Sequence, residues 1–379
     1  MLISRLGGVL CAGVIALQVS SAFAEPGISD DKIILGQSAG LTGAAAPQIQ
    51  DLTAGALAYF EVINNQGGVN GRKIVLESMD DAIDPKRTLD NTNKLISEKH
   101  VFALFLYRGT PNVEAVLPLI ERERIPMIAP STGAQSMYVP FKKYLFPVRP
   151  SYYAEAEKIV DYLVTPGLRR IAIFHEDGTF GLDVLAGVQS AMKRRKLSLV
   201  SVAPYPRGTT NVDAAVTAIS ASEPQAVVVV GAANASVAFI KKMGALGKRP
   251  QFISLSNVNS AAFAQDLGED GRGVGVTAIT PYPYAAITPL AKEYKHVLKD
   301  KPALIPSYLS LEGYMAAKVL VEGLRRAGPA LTREKLVTAL ESMRHVDLGG
   351  VDISYGPSDR SGSGSVEIVV IGEGGKFLY

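Results

Sequence analysis

Cysteine is nearly absent from this chain. The single one, Cys11, lies within the first 24 residues. Beyond that stretch no thiol is left for a disulfide, a nucleophile or a metal thiolate. Tryptophan is missing altogether, so an aromatic cover over any ligand has to come from tyrosine or phenylalanine. Excess charge is missing too. The formal net charge is +3, and removing the first 24 residues takes Arg5 and no acid, which leaves +2. That balance excludes a nucleic-acid binder working by phosphate neutralisation. No run of five or more like charges occurs, which argues against a polybasic membrane patch. Catalytic signatures are absent as well. No serine stands in G-x-S-x-G and no H-E-x-x-H occurs. Gly247-Lys248 runs into Arg249 where a phosphate-binding loop needs Ser or Thr. Gly271-Arg272-Gly273-Val274-Gly275 lacks the third glycine of a dinucleotide loop and enters a strand, so it reads as a surface turn. His100, His296 and His345 stand alone in polar segments and read as surface residues. His175-Glu176-Asp177 sits at a predicted strand end without partners for catalysis and reads as a ligand-contacting loop. The chain is therefore expected to be no enzyme, with no cofactor and no metal site.

What is present begins with MLISRLGGVLCAGVIALQVSSAFA. One basic residue precedes an apolar run, and Ala22-Phe23-Ala24 forms a small-x-small end. This order reads as a secretory signal peptide, residues 1–24, cleaved after Ala24, which would place the mature chain outside the cytoplasm. The run is short for about 30 Å of hydrocarbon, which argues against a membrane anchor. Gly8-Val9-Leu10 lacks the small residue expected beside a lipidated cysteine.

Short apolar runs then alternate with amphipathic stretches. Strands are predicted over 33–36, 74–79, 101–106, 126–129, 170–174, 197–202, 226–230, 251–255 and 273–278. Leu52, Ala56, Leu57, Phe60 and Ile63 follow helical spacing, as do Val184, Val188 and Met192. The run Ala226-Val227-Val228-Val229-Val230 is apolar at every position, as in parallel strands buried on both faces. Alternating strands and helices imply doubly wound α/β domains, with ligands beyond the carboxyl ends of the strands. The length suggests two of them. Proline-marked segments at 146–150 and 281–284 suggest breaks between them, and helices over 290–298, 308–326 and 333–343 suggest a return to the first. Residues 356–365, rich in glycine and serine, read as a loop before a last strand at 366–371. Asp80 and Asp81 end a strand just before a helix start marked by Asp84 and Pro85, which favours capping over acid–base work.

Asn64-Asn65-Gln66-Gly67-Gly68-Val69-Asn70-Gly71-Arg72-Lys73-Ile74, followed by Asp80-Asp81-Ala82-Ile83-Asp84-Pro85, resembles the leucine/isoleucine/valine-type periplasmic binding proteins of ABC importers. So do Leu41-Thr42-Gly43, Gly109-Thr110-Pro111, Pro130-Ser131-Thr132-Gly133-Ala134 and Ser310-Leu311-Glu312-Gly313-Tyr314, in the same order along the chain. The resemblance implies an α/β fold: two doubly wound parallel-sheet lobes, the type I periplasmic binding protein clamshell, joined by three crossing strands. The crossings would fall near 146–150, 280–284 and 351–355. An N-terminal lobe would then comprise 25–147 plus 281–352, and a C-terminal lobe 148–280 plus 353–379. The implied partners are a small-molecule carboxylate or amino acid and an inner-membrane ABC permease, with no nucleic acid, and the chain would be a monomer.

The resemblance also implies a site. The loops after the third and fourth strands would hold a ligand carboxylate through backbone N–H groups, hydroxyls and helix N-termini. The matching positions are Tyr107, Arg108, Gly109 and Thr110, then Ser131, Thr132 and Gly133. Arg108 departs from the small or apolar residue usual there. It is open to three roles: pairing a carboxylate bidentately, pointing to solvent, or bridging to the other lobe. Amino-acid binders hold the ligand's ammonium with an acid on the second lobe, and Ser256 stands at that position here. Phe180 replaces a tyrosine, and a second tyrosine falls near Ala233 or Asn234. The ammonium site therefore reads as dismantled, and burying an ammonium without an anion is costly. A carboxylate lacking an amino group is the expected ligand, unless Asp183 or Glu176 takes over the missing acid. Gln48, Tyr152, Tyr153 and Tyr282 are further contact candidates. A sensor subunit built on the same clamshell is the alternative function, which the fold alone does not separate.

Overall fold

The computed structural model describes residues 25–43 and 45–378, so the signal peptide and its cleavage site lie outside the described residues. The first part of the chain alternates β1 (Lys32–Ala39), α1 (Ala46–Asn65), β2 (Lys73–Asp80), α2 (Pro85–Ser97), β3 (Ala103–Phe105), α3 (Thr110–Glu123), β4 (Met127–Ile128) and β5 (Leu145–Phe146). Its strands form one sheet in the order β2-β1-β3-β4-β5, every pair parallel. Next come α4 (Tyr152–Val164), β6 (Ile171–Asp177), α5 (Thr179–Arg194), β7 (Ser201–Pro206), α6 (Asp213–Ala221), β8 (Ala226–Val230), α7 (Ala233–Ala245), β9 (Gln251–Ser254), α8 (Ala261–Leu267) and β10 (Gly275–Ala278). The last part holds α9 (Pro289–Leu298), α10 (Tyr308–Ala327), α11 (Arg333–Glu341), β11 (Val346–Asp347), β12 (Asp352–Gly356), β13 (Asp359–Gly362), β14 (Glu367–Ile371) and β15 (Phe377–Leu378). The second sheet runs β15-β14-β10-β9-β8-β6-β7, parallel from β10 to β7 and antiparallel at β14 and β15. Both sheets are doubly wound, and the chain crosses between them after β5, after β10 and after β13.

Burial on both faces explains the all-apolar strands: every residue of β8 and of β3 is buried. β7 differs because it is an edge strand. Only alternate residues are buried, and it starts at Ser201, so the strand expected over 197–202 is displaced towards Pro206. The helical return to the first lobe is seen where α10 crosses α1. A Cβ on Gly55 would stand 1.8 Å from the Ser310 carbonyl oxygen, and one on Gly313 would stand 1.8 Å from that of Leu52. Only glycine allows backbones this close.

Two expectations change near the end of the chain. Residues 359–362 are not loop but the second strand of a hairpin with β12. That hairpin also lies against the first lobe, although residues from 353 were expected in the second. The Tyr355 hydroxyl donates to the Pro147 carbonyl at 2.7 Å, and its ring meets Phe146 edge-on at 5.4 Å. Arg360 donates to the Lys143 carbonyl at 2.8 Å and to Glu341 at 2.7 Å. The chain joins the second sheet only at β14.

Candidate functional site

A cleft of about 490 Å³ lies between the carboxyl ends of the two sheets. Its first-lobe wall starts at the β2–α2 loop. Asp80 accepts from the Leu41 and Thr42 amides at 2.8 and 3.2 Å, and so pins the β1–α1 loop at the cleft edge. Asp80 and Asp81 also accept from the amides of Ala82 and Ile83, which adopt left-handed φ values of 47° and 60°. An isoleucine there is strained, at a cost of about 1–3 kcal/mol, and persists only where its surroundings hold it. The capping role falls to Asp84, whose carboxylate accepts from the Arg87 amide at 2.8 Å.

Arg108, after β3, reaches across the cleft. Its Nη1 donates to the Ser131 hydroxyl at 3.2 Å and its Nη2 to the Asn257 carbonyl of the second lobe at 2.9 Å. Of the three roles open to it, the bridge between lobes is the one observed. Burial lowers its pKa below the ordinary guanidinium value, with Glu312 acting in the opposite sense. None of its hydrogen bonds goes to a carboxylate; Glu312 is reached only through Ser131, whose hydroxyl donates to Oε1 at 3.0 Å. Gly109 follows with φ 94°, a conformation that suits glycine, and brings the start of α3 to the cleft.

On the second lobe, Glu176 at the end of β6 borders the cleft beside Arg207. The Arg207 Nε stands 3.6 Å from Glu176, and its Nη2 donates across to the Ile83 carbonyl at 3.1 Å. Burial raises the Glu176 carboxyl above its ordinary value, against Arg207 and Tyr205. Phe180 and Tyr152 meet edge-on at 5.2 Å and give the cleft an aromatic wall. A third contact between the lobes lies beside it, where the Gln135 amide donates to Asp183 at 3.0 Å.

Helix starts add positive potential. The N-cap residues of α1, α3, α5 and α7 are Ala45, Gly109, Gly178 and Ala232, and none supplies a side-chain cap. α2 and α4, which also begin near the cleft, are capped by Asp84 and Ser151. α8 to α11 are each capped by Ser or Thr, and only α6 among the rest lacks a cap. An uncapped start can leave N–H groups for an anion, although the Ala46 amide of α1 donates to the Gly43 carbonyl at 3.1 Å and the Ala235 amide of α7 to the Asn234 side chain at 2.9 Å.

Gln48, Arg108, Gly109, Thr110, Ser131, Phe180 and Asn234 lie on the cleft wall. Tyr107, Thr132, Gly133, Tyr153 and Ser256 do not, and packing accounts for the place of each. The Tyr107 side chain is buried and its hydroxyl pairs with Thr92 at 3.0 Å. Thr132 is buried against the Thr110 hydroxyl at 2.7 Å. Gly133 uses its carbonyl to receive the Tyr152 amide at 2.6 Å, so it seats α4. Tyr153 packs on α5 beside Gly187, and it is the preceding Tyr152 that faces the cleft. Ser256 is buried, receives Arg149 at 2.5 Å and donates to Glu155 at 3.0 Å, while Asn257 takes the place on the wall. Tyr282 donates to the Phe377 carbonyl at 2.9 Å away from the wall. Asp183 is committed to Gln135, which leaves Glu176 as the acid that borders the cleft. Arg207, Ile83 and Asn257 were missed. The displaced β7 hid Arg207, although the polar run Arg207-Gly208-Thr209-Thr210-Asn211 after a strand is a usable signal.

Comparison with known proteins agrees with this geometry. Residues 32–376 match the family described as periplasmic binding protein. The chain is 25% identical over 374 residues to Leu/Ile/Val-binding protein homolog 8 of Brucella abortus, covering 94% of this chain and 92% of the relative. A substrate-binding periplasmic protein from Ralstonia solanacearum is 32% identical, with TM-score 0.84 over 90% of this chain and 98% of that one. A possible leucine/isoleucine/valine-binding protein from Rhodopirellula baltica is 27% identical, with TM-score 0.86 over 94% and 98%. Two structures that share the fold alone hold different ligands. One from Thermus thermophilus, at 19% identity and TM-score 0.82 over 93% and 96%, has bound valine. One from R. palustris, at 17% and TM-score 0.80 over 92% and 95%, is a complex with benzoate. The chain belongs to the periplasmic binding protein family, whose members bind solutes outside the cytoplasm.

Proposed function

We propose that this protein captures a small carboxylate-bearing molecule without an amino group and delivers it to an ABC permease. The observation that carries the reading is Arg108, a partly buried guanidinium on the cleft wall whose hydrogen bonds all go to neutral oxygens. Glu312 and Asp51 act on this guanidinium only from a distance, a buried cation with no directly paired carboxylate is unfavourable, and a ligand carboxylate would supply that pair. The uncapped starts of α1 and α3 favour the same charge. Tyr152 and Phe180 would cover the apolar part of the ligand.

An amino-acid ligand is the second reading, favoured by Glu176 on the second-lobe wall. It ranks below the first because Arg207 already shares the charge of that carboxylate. Capture would involve closure of the lobes, with the contacts Arg108–Asn257, Arg207–Ile83 and Gln135–Asp183 holding the closed form. The lobes would divide as expected from the sequence, except that the β12–β13 hairpin moves to the first. The mature chain would start at Glu25, after cleavage behind Ala24, and act as a monomer.

A thermal-shift screen of refolded, ligand-free protein tests this reading. Carboxylic acids without an amino group should raise the melting temperature. A shift produced by amino acids alone would overturn the first reading in favour of the second.

A further inference from the structure

Two acceptors bordering the cleft lack a close donor. Gln48, in the first turn of α1, is on the wall, and its Oε1 is buried without a hydrogen-bond partner. Glu176, on the opposite lobe, is 8% exposed. Its two neighbours both stand off: the Tyr205 hydroxyl is 3.4 Å from Oε2 and the Arg207 Nε is 3.6 Å from Oε1. Charge-assisted hydrogen bonds are ordinarily about 2.7–2.9 Å long. The same fold makes such bonds elsewhere, since Glu155 receives Arg149 at 2.7 Å. A buried acceptor left unpaired is costly, and each such group in a native fold calls for an explanation. Here the two lie on facing walls of one cleft.

The kind of donor follows from the surroundings. A second cation placed on Glu176 would meet the Arg207 guanidinium, which already shares that charge. Gln48 offers a neutral oxygen. A hydroxyl or an amide N–H satisfies both without adding charge. We infer that the ligand is a carboxylate that also carries uncharged hydrogen-bond donors, a hydroxy acid or an amide-bearing acid, with donors received by Gln48 and Glu176. This rests on the carboxylate reading above and narrows it. A plain alkanoate or aryl carboxylate would leave the Gln48 oxygen unpartnered and Glu176 with only its long contacts to Tyr205 and Arg207, and a site built to hydrogen-bond a hydroxyl discriminates strongly against the analogue that lacks it. The volume of about 490 Å³ has room for a carboxylate, an apolar body and polar substituents.

Calorimetric titration with matched pairs tests the inference on the mature protein. Suitable pairs are benzoate against its three monohydroxy isomers, butyrate against its 2-, 3- and 4-hydroxy derivatives, and valerate against succinamate. At least one substituted acid should bind about 10-fold or more tighter than its parent. Gln48→Leu or Glu176→Gln should shrink that preference, weakening the substituted acid more than its parent, a change in ratio that a folding defect would not mimic. Parents that bind as tightly as every substituted partner would overturn this inference and leave the carboxylate reading intact. Binding by no acid at all would overturn both.

Discussion

Arg149 and Arg108 lie at opposite ends of one chain of polar contacts and meet opposite surroundings. Arg149 stands at the first crossing between the lobes, 2% exposed, and donates to Glu155 at 2.7 Å and to Ser256 at 2.5 Å. Glu155 also receives the Ser256 amide at 3.0 Å and the Thr277 hydroxyl. Glu312 stands 3.6 Å from Arg149 and receives Ser131, which in turn receives Arg108. At the joint, then, the charges of Arg149 and Glu155 meet in a short ion pair backed by hydroxyls. At the cleft, Arg108 makes no direct ion pair among the described residues, with Glu312 and Asp51 acting on it only from a distance; Glu176 has only long contacts and Gln48 has an unpartnered oxygen. The same residue types build structure in one place and, on the reading proposed above, would meet a ligand in the other. A buried ion pair becomes strongly unfavourable only when one partner is removed, whereas an unpaired group in a cleft is where binding energy can be gained.

The sharpest break of this contrast is at the joint. Arg149→Met leaves the buried Glu155 without its paired cation and should cost about 3–5 kcal/mol of stability, read from the denaturant midpoint. A loss below about 1 kcal/mol would make the joint no more structural than the cleft. Ser256→Ala should be milder. It removes hydrogen bonds to Arg149 and Glu155 and should cost about 1–3 kcal/mol, with ligand affinity little changed. An affinity loss exceeding the stability loss would return Ser256 to the binding wall.

The interface between the lobes should respond to pH. Burial pushes the Asp183 carboxyl up from 3.8 to about 6, eased by the Gln135 amide and reinforced by Glu114, and its Oδ2 has no partner. A carboxyl raised in the closed form favours that form when protonated. Its contribution is complete below about pH 4 and is lost as pH rises through about 6. Affinity should therefore be several-fold higher at about pH 5 than at about pH 7.5. Asp51, also raised to about 6, and Glu176 titrate upwards for the same reason of burial, so the diagnostic quantity is the difference between wild type and Asp183→Asn. An identical pH profile in that variant would remove Asp183 from the account. The smallest effect belongs to Tyr153→Phe, which should leave affinity unchanged in the same titration, because the ring packs on α5.

Much of the fold was legible in the sequence because its cause is local. A strand such as β8 is buried on both faces, and Ala226 to Val230 say so directly. The first-lobe wall was legible in part for a related reason, although Tyr107, Thr132 and Gly133 pack away from it. Arg108, Gly109, Thr110 and Ser131 follow short buried strands whose ends are easy to place. The second-lobe wall was harder. Which residue faces the cleft depends on where each strand stops, and a shift of one residue exchanges Ser256 for Asn257 and Tyr153 for Tyr152. β7 alternates in burial, so its end, and Arg207 with it, was misplaced. Contacts between lobes, such as Arg207 with Ile83, join residues far apart in the chain and leave no local pattern.

The central claim is that Arg108 is held for a ligand carboxylate, and one paired measurement tests it directly. Arg108→Met and wild type would be titrated by calorimetry with a carboxylic acid that the wild type binds, and unfolded side by side in urea. The account predicts an affinity loss of about 100-fold, with the urea midpoint nearly unchanged. Affinity within about 3-fold of wild type, or a midpoint loss as large as that expected for Arg149→Met, would contradict it.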